Sequence, residues 1–242
     1  MGNREKLIGL AYKYQGKYFR ILKAIKNNEE IDEINDDNCL TIFDDDYPLE
    51  LRQLRYPPFV LFYKGNLDLL KKEKIGIVGS RIPCEYSLKA TELLVKNNMD
   101  KIIVSGLAKG IDGKAHDVSD YSIGILGCGI NYVYPLENLK LFEKLQTQGL
   151  ILSEYPDNTK PLSYHFPFRN RIIAALSNVV YVMQSSERSG TVTTINEALE
   201  LQKEVKVLPF SIFDEQGVYN NKLINDGALI LEANELKIDN LK

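Results

Sequence analysis

The stretch IGIVGSRIPCEYSLKATELLVKNNMDKIIVSGLAKGID, residues 75–112, decides the fold. It holds two short apolar runs, at 75–78 and 102–104, that are mostly β-branched and apolar on both faces. Strands of a parallel sheet covered by helices on each side must have this character. Between the runs, residues 86–97 follow a helical pattern. The same unit recurs downstream, with strands expected at 123–126, 150–152, 179–182 and 205–208. Helices are expected at 111–118, 137–148, 170–176 and 193–202. The alternation predicts an α/β fold, an extended Rossmann-like, doubly wound and mostly parallel sheet.

Upstream the character changes. From residue 1 to about 46 the chain is rich in Lys, Glu, Asp and Asn, and Leu7, Leu10, Tyr14 and Tyr18 are spaced for one or two short amphipathic helices. Asp44-Asp45-Asp46 with Tyr47-Pro48 reads as a turn, and Tyr56-Pro57-Pro58 as a rigid extended connector. The expected organisation is therefore a small helical N-terminal region and lead-in at 1–66, followed by a Rossmann-like domain at 67–242.

Composition narrows the function classes. The 242 residues carry a net charge of −3, so bulk electrostatics do not announce a nucleic-acid partner. A phosphate site would have to be local, built from a few Lys and Arg in an acidic surface. No apolar run approaches the roughly 20 residues of a membrane span, and the start lacks a signal-peptide pattern. Three scattered cysteines, Cys39, Cys84 and Cys128, make neither a disulfide framework nor a metal site. A cytoplasmic protein without membrane contact is expected.

In a doubly wound sheet, ligands bind beyond the carboxyl ends of the strands, where strand order reverses. The first strand is followed by Gly79, Ser80 and Arg81, and the second by Ser105, Gly106, Lys109 and Gly110. Gly127-Cys128-Gly129 follows the third strand. Beyond the fourth come Phe166, Arg169, Asn170 and Arg171, and beyond the fifth Ser189, Gly190 and Thr191. Glycine lets backbone N–H groups approach an anion, and each following helix start adds partial positive charge. Any one such turn is more often structural than functional. The coincidence of glycine-rich turns with Arg81, Lys109, Arg169 and Arg171 on one edge is what points to a polyanion or nucleotide. His116 reads as a packed helix residue and Asp112 as a cap or turn residue. Neither the dinucleotide fingerprint nor a Walker A loop is present, so no cofactor and no catalytic residue are assigned.

The segments IVGSR (77–81), VSGLAKGIDGKAH (104–116), LGCGINYVYPLEN (126–138), LSEYP (152–156), FPFRNRIIAALS (166–177) and SGTVTTINEAL (189–199) resemble the DNA-processing protein A (DprA/Smf) family in order and spacing. The resemblance spans roughly residues 41–231. It implies a single-stranded DNA-binding recombination mediator that protects incoming strands, dimerises, and loads RecA recombinase in natural transformation, without established catalysis. Arg81 matches the motif arginine, Lys109 stands where the family usually has Arg, and Phe166, Arg169, Asn170 and Arg171 match its FPxRNR segment. Ser105, Gly106, Ser189, Gly190 and Thr191 match its phosphate-facing loops. Pro209-Phe210 departs from the usual Pro-Gly, and the chain as given leaves no room for the winged-helix domain of many relatives.

Two alternatives stand beside this reading. Phosphoribohydrolases of the lysine-decarboxylase-like group share the Rossmann variant, but their PGGxGTxxE glutamate would fall on Thr194, with Glu197 a helical turn further on. A mononucleotide sensor would use the same rim. Residues 223–231 are either a subunit interface or a last strand of the sheet.

Overall fold

Residues 3–237 are described by a computed structural model. The two runs of the deciding stretch are β3 (Lys74–Gly79) and β4 (Ile102–Gly106), paired in parallel and joined through helix α4 (Glu85–Lys96). The unit continues through α5 (Ile111–Val118), β5 (Ser122–Ile125), α6 (Leu139–Gln148) and β6 (Leu150–Ser153). Next come α7 (His165–Leu176), β7 (Val179–Gln184), α8 (Thr191–Glu200), β8 (Glu204–Val207), α9 (Val218–Asn225) and β9 (Leu229–Ile230). All pairings from β3 to β9 are parallel.

Alternation along the strands explains the two helical layers. Ile75 and Ile77 face α4 and α5, with Ile103, Tyr181 and Met183 from neighbouring strands. Val78, Val104, Val180 and Val182 face α7 and α8, packing on residues 172–176, Ile195 and Ala198. Each fully buried aliphatic side chain contributes about 1.5–3 kcal/mol, so a strand apolar on both faces is held from both sides.

The N-terminal part has helices α1 (Asn3–Lys13) and α2 (Tyr18–Lys26), as the spacing of Leu7, Leu10 and Tyr18 predicts, and a short α3 (Leu49–Arg52). It also supplies two strands that the sequence reading does not contain, β1 (Cys39–Thr41) and β2 (Val60–Gly65). These run antiparallel, and β2 pairs with β6, so the lead-in and the Rossmann-like part share one hydrogen-bonded sheet. The nine strands are ordered β1-β2-β6-β5-β4-β3-β7-β8-β9.

That order places the site. From β3 the chain winds one way to β6, and α7 then carries it back across the sheet to β7 on the other flank of β3. Strand order therefore reverses between β3 and β7, where a crevice opens beyond the carboxyl ends. The register shifts between Val78 and Gly79, so that Gly79 sits opposite Gln184. No helix among the described residues is long and apolar enough to cross a membrane.

Candidate nucleic-acid interface

A cleft of about 1150 Å³ opens at the switch point. The loop after β3 supplies Gly79, Ser80 and Arg81; the first turns of α7 supply Phe166, Arg169 and Asn170; and the start of α8 supplies Ser189, Gly190 and Thr191. Nine of the residues singled out in the sequence thus line one cavity. Lys109 lines a small adjoining recess of about 80 Å³ together with Arg81, Phe166 and Arg169, and its amine is ion-paired with Glu137.

Phe166 is the aromatic centre of this arrangement. The Arg81 guanidinium lies 5.7 Å from its ring centroid, within cation–π range. Tyr134 approaches at 5.4 Å, tilted by 38°. Asn170 bridges the neighbouring elements: its amide donates to the Gly190 carbonyl at 2.9 Å, and its oxygen accepts from Arg169 Nε at 3.0 Å. The start of α8 is thereby tied to α7.

Arg169 is 5% exposed and lies across Gly106, where a Cβ would collide with a guanidinium nitrogen. Gly106 is therefore required by the close approach of Arg169, and it stands beneath the cleft instead of lining it. Gly110 has a supporting role of the same kind. Its φ of +76° and the clash a Cβ would make with the Ser80 carbonyl lock the start of α5 against the β3 loop. Ser105 is fully buried and donates to the Ile77 carbonyl at 2.6 Å, fastening β4 to β3. These three residues are placed as supports of the rim.

Arg171 departs further from the sequence expectation. It is buried, pairs with Glu154 at 2.6 Å, and donates to the carbonyls of Tyr56 and Phe168. On a helix, residues two apart point to nearly opposite sides, so Arg169 can reach the cleft only by turning Arg171 inward. The structure thus removes it from the rim.

Burial sets the electrostatics. It pushes the Asp112 carboxyl up to about 6, against the opposing pull of Arg169 and of the Ala108 N–H. Burial likewise lowers Arg169, with Asp112 acting in the other direction. His116 is a packed helix residue, as expected. Burial lowers it to about 4, and its ring nitrogens meet Ser122 and the Gly106 carbonyl. Among the described residues no group of His, Cys, Asp or Glu could hold a metal. Thr194, at the hydrolase glutamate position, lines the cleft; Glu197 does not.

Sequence reasoning missed Tyr134 and Lys222 in the lining. Tyr134 lay within a quoted motif, and an aromatic in a glycine-rich loop was its available signal. Lys222 arrives on α9 from a distant part of the chain, which nothing local announces.

Fold and site together define a Rossmann-like α/β protein with a cation- and aromatic-lined cleft at its switch point. The chain belongs to the DNA recombination-mediator protein A family, whose family model matches residues 38–242. It is 43% identical over 198 residues to DNA processing protein DprA of Bacillus subtilis, covering 79% of this chain and 67% of that one. The X-ray structure of DNA processing protein A from Streptococcus pneumoniae superposes with a TM-score of 0.78 at 35% identity, covering 92% of this chain and 80% of that one. DNA processing protein A from Helicobacter pylori, solved for its single-stranded DNA binding mode, superposes with a TM-score of 0.75 at 31% identity, covering 84% and 95% respectively.

Proposed function

We propose that the switch-point cleft binds single-stranded DNA and that the protein acts as a recombination mediator without catalysis or cofactor. The observation that carries this reading is one cleft lined by Arg81, Arg169 and Phe166, with the Arg81 guanidinium over the Phe166 ring. A flexible strand can stack a splayed base on an aromatic ring while its phosphates meet flanking cations; a duplex keeps its bases stacked and paired. The single-stranded DNA binding mode of the Helicobacter pylori relative supports the same ligand. The net charge of −3 over the whole chain disfavours indiscriminate polyanion binding.

On this reading the protein is cytoplasmic, shields incoming single strands during natural transformation, and passes them to RecA recombinase as a homodimer. Family membership supports the mediator role. Competition against a labelled oligonucleotide tests the core of the proposal. Unlabelled single strand should displace the probe far better than duplex or free mononucleotide at the same salt. Equal competition by duplex would mean a plain electrostatic surface, and preferential competition by mononucleotide would mean a small-molecule sensor.

A further inference from the structure

Phe166 and Phe168 stand on opposite sides of the first turn of α7, with exposed Pro167 at the crest between them. Phe166 serves the cleft. Phe168 belongs to a second aromatic group, in which Tyr18 and Phe19 of α2 meet Tyr56 and Phe59 of the proline-rich connector. Ring centroids lie 5.2 Å apart for Phe19 and Tyr56, 6.3 Å for Phe19 and Phe168, and 6.5 Å for Tyr56 and Phe168. Tyr18 and Phe59 stack in parallel at 4.7 Å behind them. The front of the group is open to solvent: Phe19 is 59% exposed, and Tyr56 and Phe168 are half-buried.

This surface is held in place at considerable structural cost. Buried Arg171 lies 3.8 Å from the Phe168 ring centroid and donates to the backbone carbonyls of both Tyr56 and Phe168. A desolvated ion pair with Glu154 fixes that guanidinium. Buried ion pairs add little net stability, and their better-attested value is in specifying one arrangement. Here the arrangement specified is the relative position of the two segments that present the rings.

Charge identifies the occupant. The Arg55 guanidinium lies 5.2 Å from the Tyr56 ring centroid, and Arg20 follows Phe19 directly; both are exposed. Among the described residues, neither takes part in an ion pair. Lys17, directly before α2, adds a further cation next to Tyr18 in the chain. Exposed rings interleaved with free cations suit bases on a phosphate backbone better than an apolar protein face.

We propose that Phe19, Tyr56, Phe168 and Arg55 form a second seat for single-stranded DNA, receiving bases of the same strand after it leaves the cleft over Pro167. The inference rests on the cleft reading and extends it, giving each subunit a longer track than the cleft provides.

The test uses oligothymidylates of increasing length with Phe19→Ala, Arg55→Ala and, as the cleft reference, Phe166→Ala. All three should melt like the parent protein. Phe166→Ala should weaken every length. Phe19→Ala should leave the shortest bound oligonucleotides unaffected and weaken longer ones roughly five-fold or more, the lower end of a lost stacking contact. Arg55→Ala should flatten the salt dependence by about 0.7, again for the longer strands. Iodouracil placed along a long strand should photocrosslink to Phe19 or Tyr56 at positions beyond those that reach Phe166. Parental affinity at every length for the Phe19→Ala and Arg55→Ala proteins, with no such crosslink, overturns the second seat and leaves the cleft standing. A change in the mass of the assembly by light scattering without loss of DNA binding would assign the surface to a protein contact and also overturn it. Unchanged binding in Phe166→Ala instead counts against the cleft reading itself.

Discussion

Arg169 and Arg171 are two residues apart on one helix and lead opposite lives. Arg169 faces the cleft floor beside Asp112, whereas Arg171 is locked to Glu154 in the interior. The two kinds of arginine should fail differently. Replacing exposed Arg81 by Ala removes a counterion-releasing contact, so log affinity against log salt should flatten by about 0.7 in a folded protein. Because phosphates carry no sequence information, the loss should be the same for all base compositions. Arg171→Ala instead strands a buried carboxylate, at a cost of about 3–5 kcal/mol, and should appear first as a lower urea midpoint. Full stability with a flattened slope would put Arg171 back on the DNA. Asp112 adds a pH dependence. Its folded pKa of about 6 exceeds the ordinary 3.8, so its contribution to stability is present below about 4 and lost as pH rises through 6. His116, lowered from 6.5 to about 4, contributes in the opposite sense: stability is present above 6.5 and lost as pH falls through 4. Melting therefore mixes the two, and binding is the cleaner readout. Protonating Asp112 removes a negative charge beside Arg169, so affinity for single strands should rise as pH falls through about 6. Asp112→Asn should hold the acid-side affinity at all pH; a parental pH profile in that variant would exclude Asp112 as the titrating group.

At the scale of elements, α7 governs how the site is built. The sequence reading starts this helix at residue 170, but it begins at His165 and takes Pro167 into its first turn. Proline is tolerated there because the first-turn N–H groups have no intrahelical acceptor. Phe166 is therefore mounted on a helix and not on a loose loop, which favours a fixed stacking geometry. Phe166→Ala should cost roughly 1–3 kcal/mol of single-strand affinity with the salt slope unchanged. A slope that falls with it would mean that the ring mainly positions Arg81. The central strands were legible because β3 to β7 are mostly apolar on both faces and lie between helices, and β8 still carries Val205 and Val207. The edge strands were not: Cys39–Thr41 and Leu229–Ile230 are too short to show a period and become strands through their partners. Val60–Gly65 was hidden behind Pro57 and Pro58, which read as a connector. In the site, the glycines and cations after each strand were legible as a group. Their orientations were not, since Ser105 and Arg171 turn inward, and Gly106 and Gly110 make room for close neighbours, through contacts with residues distant in the chain.

At the scale of the whole molecule, the sheet ends on one side in β9, a two-residue strand in which Leu229 and Ile230 are both exposed. The strand reading of 223–231 is thus realised in part, in a form that leaves apolar side chains at an open edge. Ile212 and Phe213, at 84% and 89% exposed, lie in the loop that leads from β8 toward α9. An uncovered edge strand is a template for pairing with another chain, and native proteins generally cover or blunt it. We therefore expect a second copy to cover this edge. Light scattering should give about twice the 27.6 kDa chain mass. Phe213→Glu and Ile230→Lys alter exposed side chains, so they should leave the fold intact while shifting the mass toward that of one chain. The effect on DNA should depend on length. A strand short enough for one cleft needs one subunit, and its affinity should match the parent's. A strand long enough to engage both clefts gains from effective concentration, by as much as about 10²–10⁴ where the geometry allows it. The monomeric variants should lose that gain and keep on long strands only the affinity and salt slope that the cleft and second seat of one subunit supply. A parent protein that is strictly monomeric at micromolar concentration yet holds long strands far more tightly than short ones would place the extra contacts within a single chain.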